Sequence, residues 1–171
     1  MDKTTMIAQR VAFGKALAEA GAEFEKLVVM DADVGASTQT KYFKDAYPDR
    51  FYQCGIAEAN MVGMAAGLST TGWVPFVSTF AVFLAKRAAD QVRVSVAYPA
   101  LEVKLNGSYA GLPTGKAGAT HSSVEDIAVM RAMPNMKVLD PADPVEVRSA
   151  VYLALRTPGP VYVRSVRCPV P

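Results

Sequence analysis

The sequence is poor in features that define several large protein classes. Only two of its 171 residues are cysteines, Cys54 and Cys168, and only one is a histidine, His121. The two cysteines are far apart and lack the CxxC or paired-histidine spacing of a zinc site. We therefore expect reduced thiols, no disulfide framework and no metal ion held by this chain alone.

Long apolar runs and blocks of one charge are missing too. The N-terminal residues lack the apolar core of a signal peptide, and no apolar run reaches the length that spans a bilayer. The net charge is only +2, with 18 basic and 16 acidic side chains, and these are interleaved rather than gathered into a basic tail. These absences predict a cytoplasmic protein that binds neither membrane nor nucleic acid.

The chain does contain a regular alternation of strand-like and helix-like segments. The length and the 51% hydrophobic content suit one buried core in one domain over residues 1–171. The alternation predicts an α/β fold with three layers, α/β/α, around a mostly parallel sheet of about six strands. Predicted strands cover 26–33, 51–54, 74–80, 101–107, 136–140 and 160–165, and predicted helices cover 4–22, 42–47, 56–72, 85–96, 124–133 and 143–156, the last capped by Asp143 or its neighbour.

Two of these segments have unusual compositions. The helix predicted over 56–72 is apolar on most of its surface, so we expect it to be buried in the core or against another subunit. Residues 108–123 are rich in glycine, which predicts a functional loop with no regular structure of its own.

Four segments, in this order and spacing, resemble one known family. They are GIAEANMVGMAAGL, PFVSTFAVF, GATHSSVEDIAVMRAMPNMKVLDPAD and GPVYVRSVR. They resemble the pyrimidine domain of transketolases and of the related deoxyxylulose-phosphate synthases and 2-oxoacid dehydrogenase beta subunits. The resemblance covers about residues 4–168 and implies that the cofactor is thiamine diphosphate.

The glutamate of the family's G-I-x-E motif corresponds to Glu58. The resemblance implies that the Glu58 carboxyl hydrogen-bonds to N1′ of the cofactor's aminopyrimidine and thereby activates the cofactor. The structural alternative is an acid in the first turn of a helix, where the helix dipole favours negative charge.

The resemblance also assigns aromatic and polar neighbours to the cofactor. It implies that Phe80 and Phe83 form the aminopyrimidine pocket, with Phe83 stacking on the ring. Asp33 would lie near the cofactor, and His121 would face both cofactor and substrate in a catalytic role. The structural alternatives are that the two phenylalanines pack in the core, that Asp33 is a turn residue at a strand end, and that His121 has a structural role.

Substrate-binding residues are implied by the same comparison. Arg10, Ser37 and Arg167 fall where the family contacts the substrate's phosphate, and a guanidinium offers a planar fork to phosphate oxygens. Solvated surface arginines are the alternative for Arg10 and Arg167.

The glycine-rich loop departs from the family pattern. Aligned without a gap from His121, Tyr109 replaces a histidine, and Lys116 and Ala117 replace an acidic pair that binds the donor's hydroxyl. The loss of these acids predicts an altered sugar specificity, with Tyr109 in the substrate site.

The family's diphosphate-binding segment, GDG followed by asparagine, is absent, and so is the usual C-terminal domain, which implies either a naturally short subunit or a shortened form. We therefore expect a partner subunit that carries the diphosphate-binding domain and most of the Mg2+ or Ca2+ ligands. A pair of each chain would form a heterotetramer. The predicted function is transfer of a two-carbon ketol unit from a ketose or ketose phosphate to an aldehyde. The alternatives are a beta-type subunit of a 2-oxoacid decarboxylating enzyme and a non-catalytic assembly subunit.

Overall fold

The computed structural model describes residues 6–170. Its strands are β1 (Ile7–Ala8), β2 (Leu27–Asp31), β3 (Phe51–Gln53), β4 (Val74–Phe80), β5 (Lys104–Ser108), β6 (Lys137–Leu139), β7 (Val161–Arg164) and β8 (Pro169–Val170). Its α-helices are α1 (Gln9–Glu23), α2 (Gly35–Thr38), α3 (Lys41–Ala46), α4 (Glu58–Ser69), α5 (Ala81–Lys86), α6 (Ala89–Gln91), α7 (Asp126–Arg131) and α8 (Pro144–Arg156). A π-helical turn covers Val92–Ala97, and 3-10 helices cover Pro48–Arg50, Leu112–Ala117 and Ala119–His121.

Six strands form one sheet in the order β3-β2-β4-β5-β7-β6. Every neighbouring pair in this sheet is parallel. The predicted α/β class and the six-stranded parallel sheet are therefore confirmed.

Helices cover both faces of the sheet because successive strand side chains point to opposite sides. In β2, Leu27 and Val29 pack into a core with Phe13 of α1 and Val151 of α8. Met30, the residue after Val29, points to the other face and packs into a second core with α4, α5 and the π-helical turn. The sheet is thus the middle of three layers.

The N-terminal helix is shorter than predicted. Residues 4 and 5 of its predicted range lie outside the described residues, and Ile7–Ala8 pairs antiparallel with Pro169–Val170 instead of continuing the helix. Gln9 lies at the start of α1. Its side-chain Nε2 donates to the Pro141 carbonyl (2.9 Å), and its side-chain Oε1 accepts from Val166 N–H (2.8 Å). These contacts join the beginning of the chain to its last strands.

Other predicted boundaries also shift. The helix predicted over 85–96 begins directly after β4, at Ala81, and is broken near Arg87 before α6. The prediction that 108–123 has no regular structure was wrong, because two 3-10 helices lie within it. The cap of α8 is confirmed, since Asp143 Oδ1 accepts from Glu146 N–H at 2.8 Å.

Helix α4 is only partly buried in this chain. Met61, Val62 and Ala65 are fully buried, whereas Gly63 and Met64 lie on an exposed side. Within residues 6–170, no helix combines the length and apolar character needed to cross a membrane.

The carboxyl ends of β2, β4 and β5 lie side by side and lead into the segments 32–40, 81–87 and 109–123. In open parallel sheets, ligands bind at this edge, where loops from neighbouring strands converge. The fold therefore brings most of the candidate site residues to one place.

Candidate active site

A cleft of about 200 Å3 opens at the carboxyl edge of the sheet. Five predicted site residues lie in its wall, although they come from four separate parts of the chain. The cleft is lined by Ala32, Asp33, Val34, Ile56, Glu58, Phe80, Phe83, Arg87 and His121.

Glu58 is the buried acid of this cleft. It is the first residue of α4 and is 3% exposed. Its Oε1 accepts a hydrogen bond from Arg87 Nη1 at 3.0 Å, and the two side chains form an ion pair. A carboxyl group at a helix start is favoured by the dipole, but a solvated position would serve that purpose equally, so burial in a cleft indicates a further role.

The aromatic side chains form a small cluster separate from the two large cores. Phe80, Phe83 and Tyr109 constitute this cluster, each of them 7–8% exposed. The Phe80 and Phe83 ring centroids are 5.5 Å apart. His121 meets both rings edge-on, at 5.8 Å from Phe80 and 5.3 Å from Phe83. The two phenylalanines thus form a cleft wall rather than ordinary interior packing.

The turn after β2 is held by a buried carboxylate. Asp31 accepts hydrogen bonds from Val34 N–H (2.7 Å) and from the hydroxyls of Thr38 and Thr40 (2.9 Å each). Burial raises the pKa of Asp31, and these hydrogen bonds oppose part of the rise. The resulting turn carries both Asp33 and Ser37 at the sheet edge.

Asp33 itself is exposed and adopts a left-handed backbone conformation, with φ of 61°. Its N–H donates to Gln53 Oε1 at 2.8 Å, and the same oxygen accepts from Gly55 N–H at 3.1 Å. Gln53 therefore ties the β2 turn to the segment that leads into Glu58. Asp33 is therefore a turn residue that also lines the cleft, and its contact with the cofactor stays a prediction.

A pair of cations surrounds Tyr109, next to the cleft. Arg10 Nη1 donates to the Tyr109 hydroxyl (3.0 Å) and to the Ser37 carbonyl (3.2 Å). The guanidinium carbons of Arg10 and Arg167 each lie 5.6 Å from the centroid of the Tyr109 ring. Arg10, Ser37, Tyr109 and Arg167 are called the cation cluster below.

Within residues 6–170, neither arginine of the cation cluster forms a salt bridge with a carboxylate. The Nε of Arg10 is buried and lacks a hydrogen-bond partner among these residues. Two guanidiniums held beside one ring without a counter-charge create a positive potential that favours an anion.

The loop that carries Tyr109 folds back on itself. The Thr114 hydroxyl donates to the Tyr109 carbonyl (2.8 Å), and Arg167 Nη1 donates to the Thr114 carbonyl (3.4 Å). Tyr109 has φ of 59°, an uncommon conformation for a bulky residue. Lys116 and Ala117 of this loop are exposed.

Arg87 is the site residue that the sequence interpretation missed. In addition to its bond to Glu58, its guanidinium carbon lies 3.8 Å from the centroid of the Phe83 ring. The sequence held one signal for it, because Phe83 and Arg87 are four residues apart, a spacing that brings side chains together along a helix.

The cleft suits one part of thiamine diphosphate. A flat heteroaromatic ring needs an apolar wall and a buried hydrogen-bonding group, and Phe83 and Glu58 provide both. With Arg87 in its wall, the cleft has a volume of about 200 Å3, below the range of about 300–1,000 Å3 of most ligand sites, so it is too small for the whole cofactor. Within residues 6–170, no group of three or more His, Cys, Asp and Glu side chains is placed to hold a metal ion.

Comparison with known proteins identifies similar chains. The family profile described as "Transketolase, pyrimidine binding domain" matches residues 5–170. A "Putative transketolase C-terminal section" from Methanocaldococcus jannaschii is 47% identical over 158 residues, which span 92% of this chain and 50% of that protein. The "6-deoxy-6-sulfo-D-fructose transketolase subunit SqwH" from Clostridium sp. (strain MSTE9) is 43% identical over 85% of this chain and 45% of that subunit.

Among solved structures, a "Split gene transketolase, inactive beta4 tetramer" is 50% identical in sequence, with a TM-score of 0.87 over 98% of this chain and 54% of that chain. The present chain therefore spans about half the length of these three similar proteins.

Proposed function

The chain belongs to the transketolase pyrimidine-binding domain family, and on that premise we propose that it is the pyrimidine-binding subunit of a split, transketolase-like enzyme. Thiamine diphosphate, when bound, supplies the nucleophile that moves a two-carbon ketol unit from a ketose to an aldehyde acceptor. The observation that carries the proposal is the burial of Glu58 in a cleft walled by Phe80 and Phe83.

Four of the cleft residues have a part in this proposal. Glu58 holds a proton on its carboxyl and donates it in a hydrogen bond to the pyrimidine ring nitrogen. Phe83 provides the face on which that ring stacks, and Phe80 excludes water behind it. His121, whose Nδ1 shares a hydrogen bond with the Thr120 hydroxyl at 2.8 Å, offers its remaining ring nitrogen to the oxygen atoms of the substrate.

The cation cluster favours a ketose that carries an anionic group. Arg10 and Arg167 both lie beside the Tyr109 ring, and their guanidiniums suit a phosphate or a sulfonate. The name of the Clostridium subunit specifies a sulfonated ketose, and the same anion chemistry is proposed for this chain's donor. Tyr109 replaces the histidine of the family pattern. Its phenol is therefore the group at this position that can contact a sugar hydroxyl.

The proposal requires a second polypeptide. The chain provides a pocket for the ring of the cofactor, and the diphosphate with its Mg2+ or Ca2+ would be held by a diphosphate-binding subunit. Two copies of each chain would form the heterotetramer, with each active site between unlike subunits.

The test is calorimetric titration of thiamine diphosphate and Mg2+ into three samples: this chain alone, the chain mixed with a candidate diphosphate-binding subunit, and the same mixture made with Glu58→Gln. We expect binding only in mixtures, and ketol transfer only in the mixture with the unaltered chain. Glu146→Gln is the matched control, because Glu146 is also an acid in the first turn of a helix but lies outside the cleft. Full ketol transfer by the Glu58→Gln mixture would refute the catalytic assignment.

The altered loop favours a second candidate, a beta-type subunit of a 2-oxoacid decarboxylating enzyme. Lys116 and Ala117 remove the acidic pair that the family uses for a sugar hydroxyl, and a 2-oxoacid has no such hydroxyl to bind. Release of carbon dioxide from a 2-oxoacid by the reconstituted complex, without ketol transfer, would favour this candidate. A complex that binds the cofactor and turns over neither substrate class would indicate a non-catalytic assembly subunit.

A further inference from the structure

Arg87 makes both of the contacts that a pyrimidine ring would need in this cleft. Its Nη1 bonds to Glu58 Oε1 at 3.0 Å, and its guanidinium lies 3.8 Å from the centre of the Phe83 ring. A guanidinium is flat, carries hydrogen-bond donors at its edge and stacks on aromatic faces. In its flat shape, and in the two side chains that it contacts, it resembles an aminopyrimidine.

The two contacts compensate for different costs. Glu58 is 3% exposed, and an unpaired buried carboxylate is expensive, so the ion pair with Arg87 stabilises the charged form. Phe83 would otherwise present an open face to the cleft, and the guanidinium covers it. The Arg87 side chain is already 51% exposed, so moving it fully into solvent changes its hydration little.

We infer that Arg87 is a place-holder that occupies the aminopyrimidine position in the subunit without cofactor and swings out when the cofactor binds. This inference rests on the proposed function, because it concerns binding of thiamine diphosphate to Glu58 and Phe83. Arg87 is thus a positioning residue: it holds the side chains of Glu58 and Phe83 in place until the ring arrives.

Departure of Arg87 frees both contacts together. The Glu58 carboxyl then becomes available to the ring nitrogen of the aminopyrimidine, and the Phe83 face becomes available to its ring. The other ionisable groups that line the cleft are Asp33 and His121, and both remain in place in the variants described next.

The test compares Arg87→Gln and Arg87→Lys with the unaltered chain, each reconstituted with the diphosphate-binding subunit. Titration calorimetry gives the dissociation constant of thiamine diphosphate. We expect Arg87→Gln to lower this dissociation constant by about two- to tenfold, the range of a cation–π contact, whereas a merely structural role of Arg87 would not tighten binding. Arg87→Lys keeps the charge but loses the flat stack, so its dissociation constant should fall between those of the other two proteins.

Arg156→Gln is the matched control, since it breaks another arginine–glutamate ion pair, between Arg156 Nη2 and Glu23 Oε1 at 2.8 Å, on an exposed surface. Its dissociation constant should equal that of the unaltered chain. Unchanged or weaker binding by Arg87→Gln, in a complex whose Glu58→Gln variant loses activity, would overturn this inference alone. Failure of the unaltered complex to bind the cofactor would overturn the proposed function and the place-holder together. Thermal melting of each variant excludes misfolding as the cause.

Discussion

The ring of Tyr109 lies parallel to the ring of Phe80, with 4.4 Å between the centroids and 17° between the planes. The stack places one residue of the cation cluster directly against Phe80 in the wall of the candidate cleft. Phe80 ends β4 and Tyr109 directly follows β5, two strands that pair up to Phe80 and Ser108. Substitutions at Tyr109 should therefore affect the substrate site while the cofactor cleft remains intact, provided that the ring is kept.

Tyr109→Phe tests this separation. The variant keeps the stack on Phe80 but loses the bond from Arg10, and a hydrogen bond with one charged partner contributes about 1.5–3 kcal/mol. We expect KM for a phosphorylated or sulfonated ketose to rise by about tenfold while the dissociation constant of thiamine diphosphate stays constant. Steady-state kinetics and calorimetry on the same complex check the two quantities. A rise in both would mean that the phenol supports the cleft rather than the substrate.

Arg10→Gln should weaken binding of the substrate's anionic group. Removing one of two guanidiniums that lack a carboxylate partner among residues 6–170 lowers the local positive potential. We expect KM for an anionic ketose to rise by about tenfold or more, with a smaller effect on an uncharged ketose. Inorganic phosphate should also inhibit the unaltered enzyme more strongly than the variant.

The control for Arg10 is Arg148→Gln, which breaks an exposed ion pair between Arg148 Nε and Glu19 Oε2 at 3.0 Å. Its kinetics should match those of the unaltered enzyme. Equal losses for charged and uncharged ketoses in Arg10→Gln would contradict an anion site.

Gly107→Ala should destabilise the fold beneath the active-site loop. A Cβ at Gly107 would overlap the hydroxyl of Tyr162, whose Oη donates to Asp126 Oδ2 at 2.8 Å. Burial, aided by the negative charge of Asp126, keeps the pKa of Tyr162 well above its usual value, so the phenol remains a donor. Because Tyr162 is fully buried, we expect a loss of about 2 kcal/mol or more in the free energy of unfolding.

Gly63→Ala is the control for this substitution. Gly63 lies in α4, and a Cβ there would meet nothing within 4 Å, so alanine should stabilise the isolated chain by up to about 1 kcal/mol. Urea unfolding followed by circular dichroism measures both variants. A similar effect of the two alanines would show that the space around Gly107 is not restrictive.

The ion pair between Glu102 and Lys104 predicts an acid-dependent loss of stability. Burial raises the pKa of Glu102, but hydrogen bonds from the Lys104 ammonium and from Gly159 N–H outweigh it and leave the pKa lowered. Burial lowers the pKa of Lys104, which is fully buried, against the opposing effect of Glu102. A carboxylate with a lowered pKa adds stability above about pH 4.5, and this contribution is lost as the pH falls through the folded-state pKa.

Glu102→Gln should therefore be less stable than the unaltered chain at pH 7, by roughly 1 kcal/mol after allowance for solvent screening of a partly exposed side chain. The difference should shrink below about pH 4.5, because the unaltered chain then loses the same charge. Urea midpoints at pH 7 and pH 4 provide the comparison, with Glu19→Gln as an exposed control expected to change little. A difference that is constant with pH would disprove the electrostatic explanation.

The sequence by itself determined the class of fold, and it was also enough to propose Glu58 as the principal acid of the site. Alternation of apolar strands with helices is a local pattern, so it indicated the α/β layers and the six-stranded sheet before any contact was known. Asp143 was recognisable as a cap because capping depends on neighbours within one turn. Glu58 was identifiable only because a motif around it resembles a known family; its position in a helix start is common to many acids.

Only the tertiary structure decided how the site is assembled. The bond between Arg87 and Glu58 joins residues 29 positions apart, and the bond between Arg10 and Tyr109 joins residues 99 positions apart; local periodicity carries no information on either. The left-handed backbone of Tyr109 and the two 3-10 helices in its loop depend on long-range bonds such as that from Arg167 to Thr114. Sequence patterns specify elements because their causes are local, whereas a cleft between the ends of three strands exists only once those strands are paired.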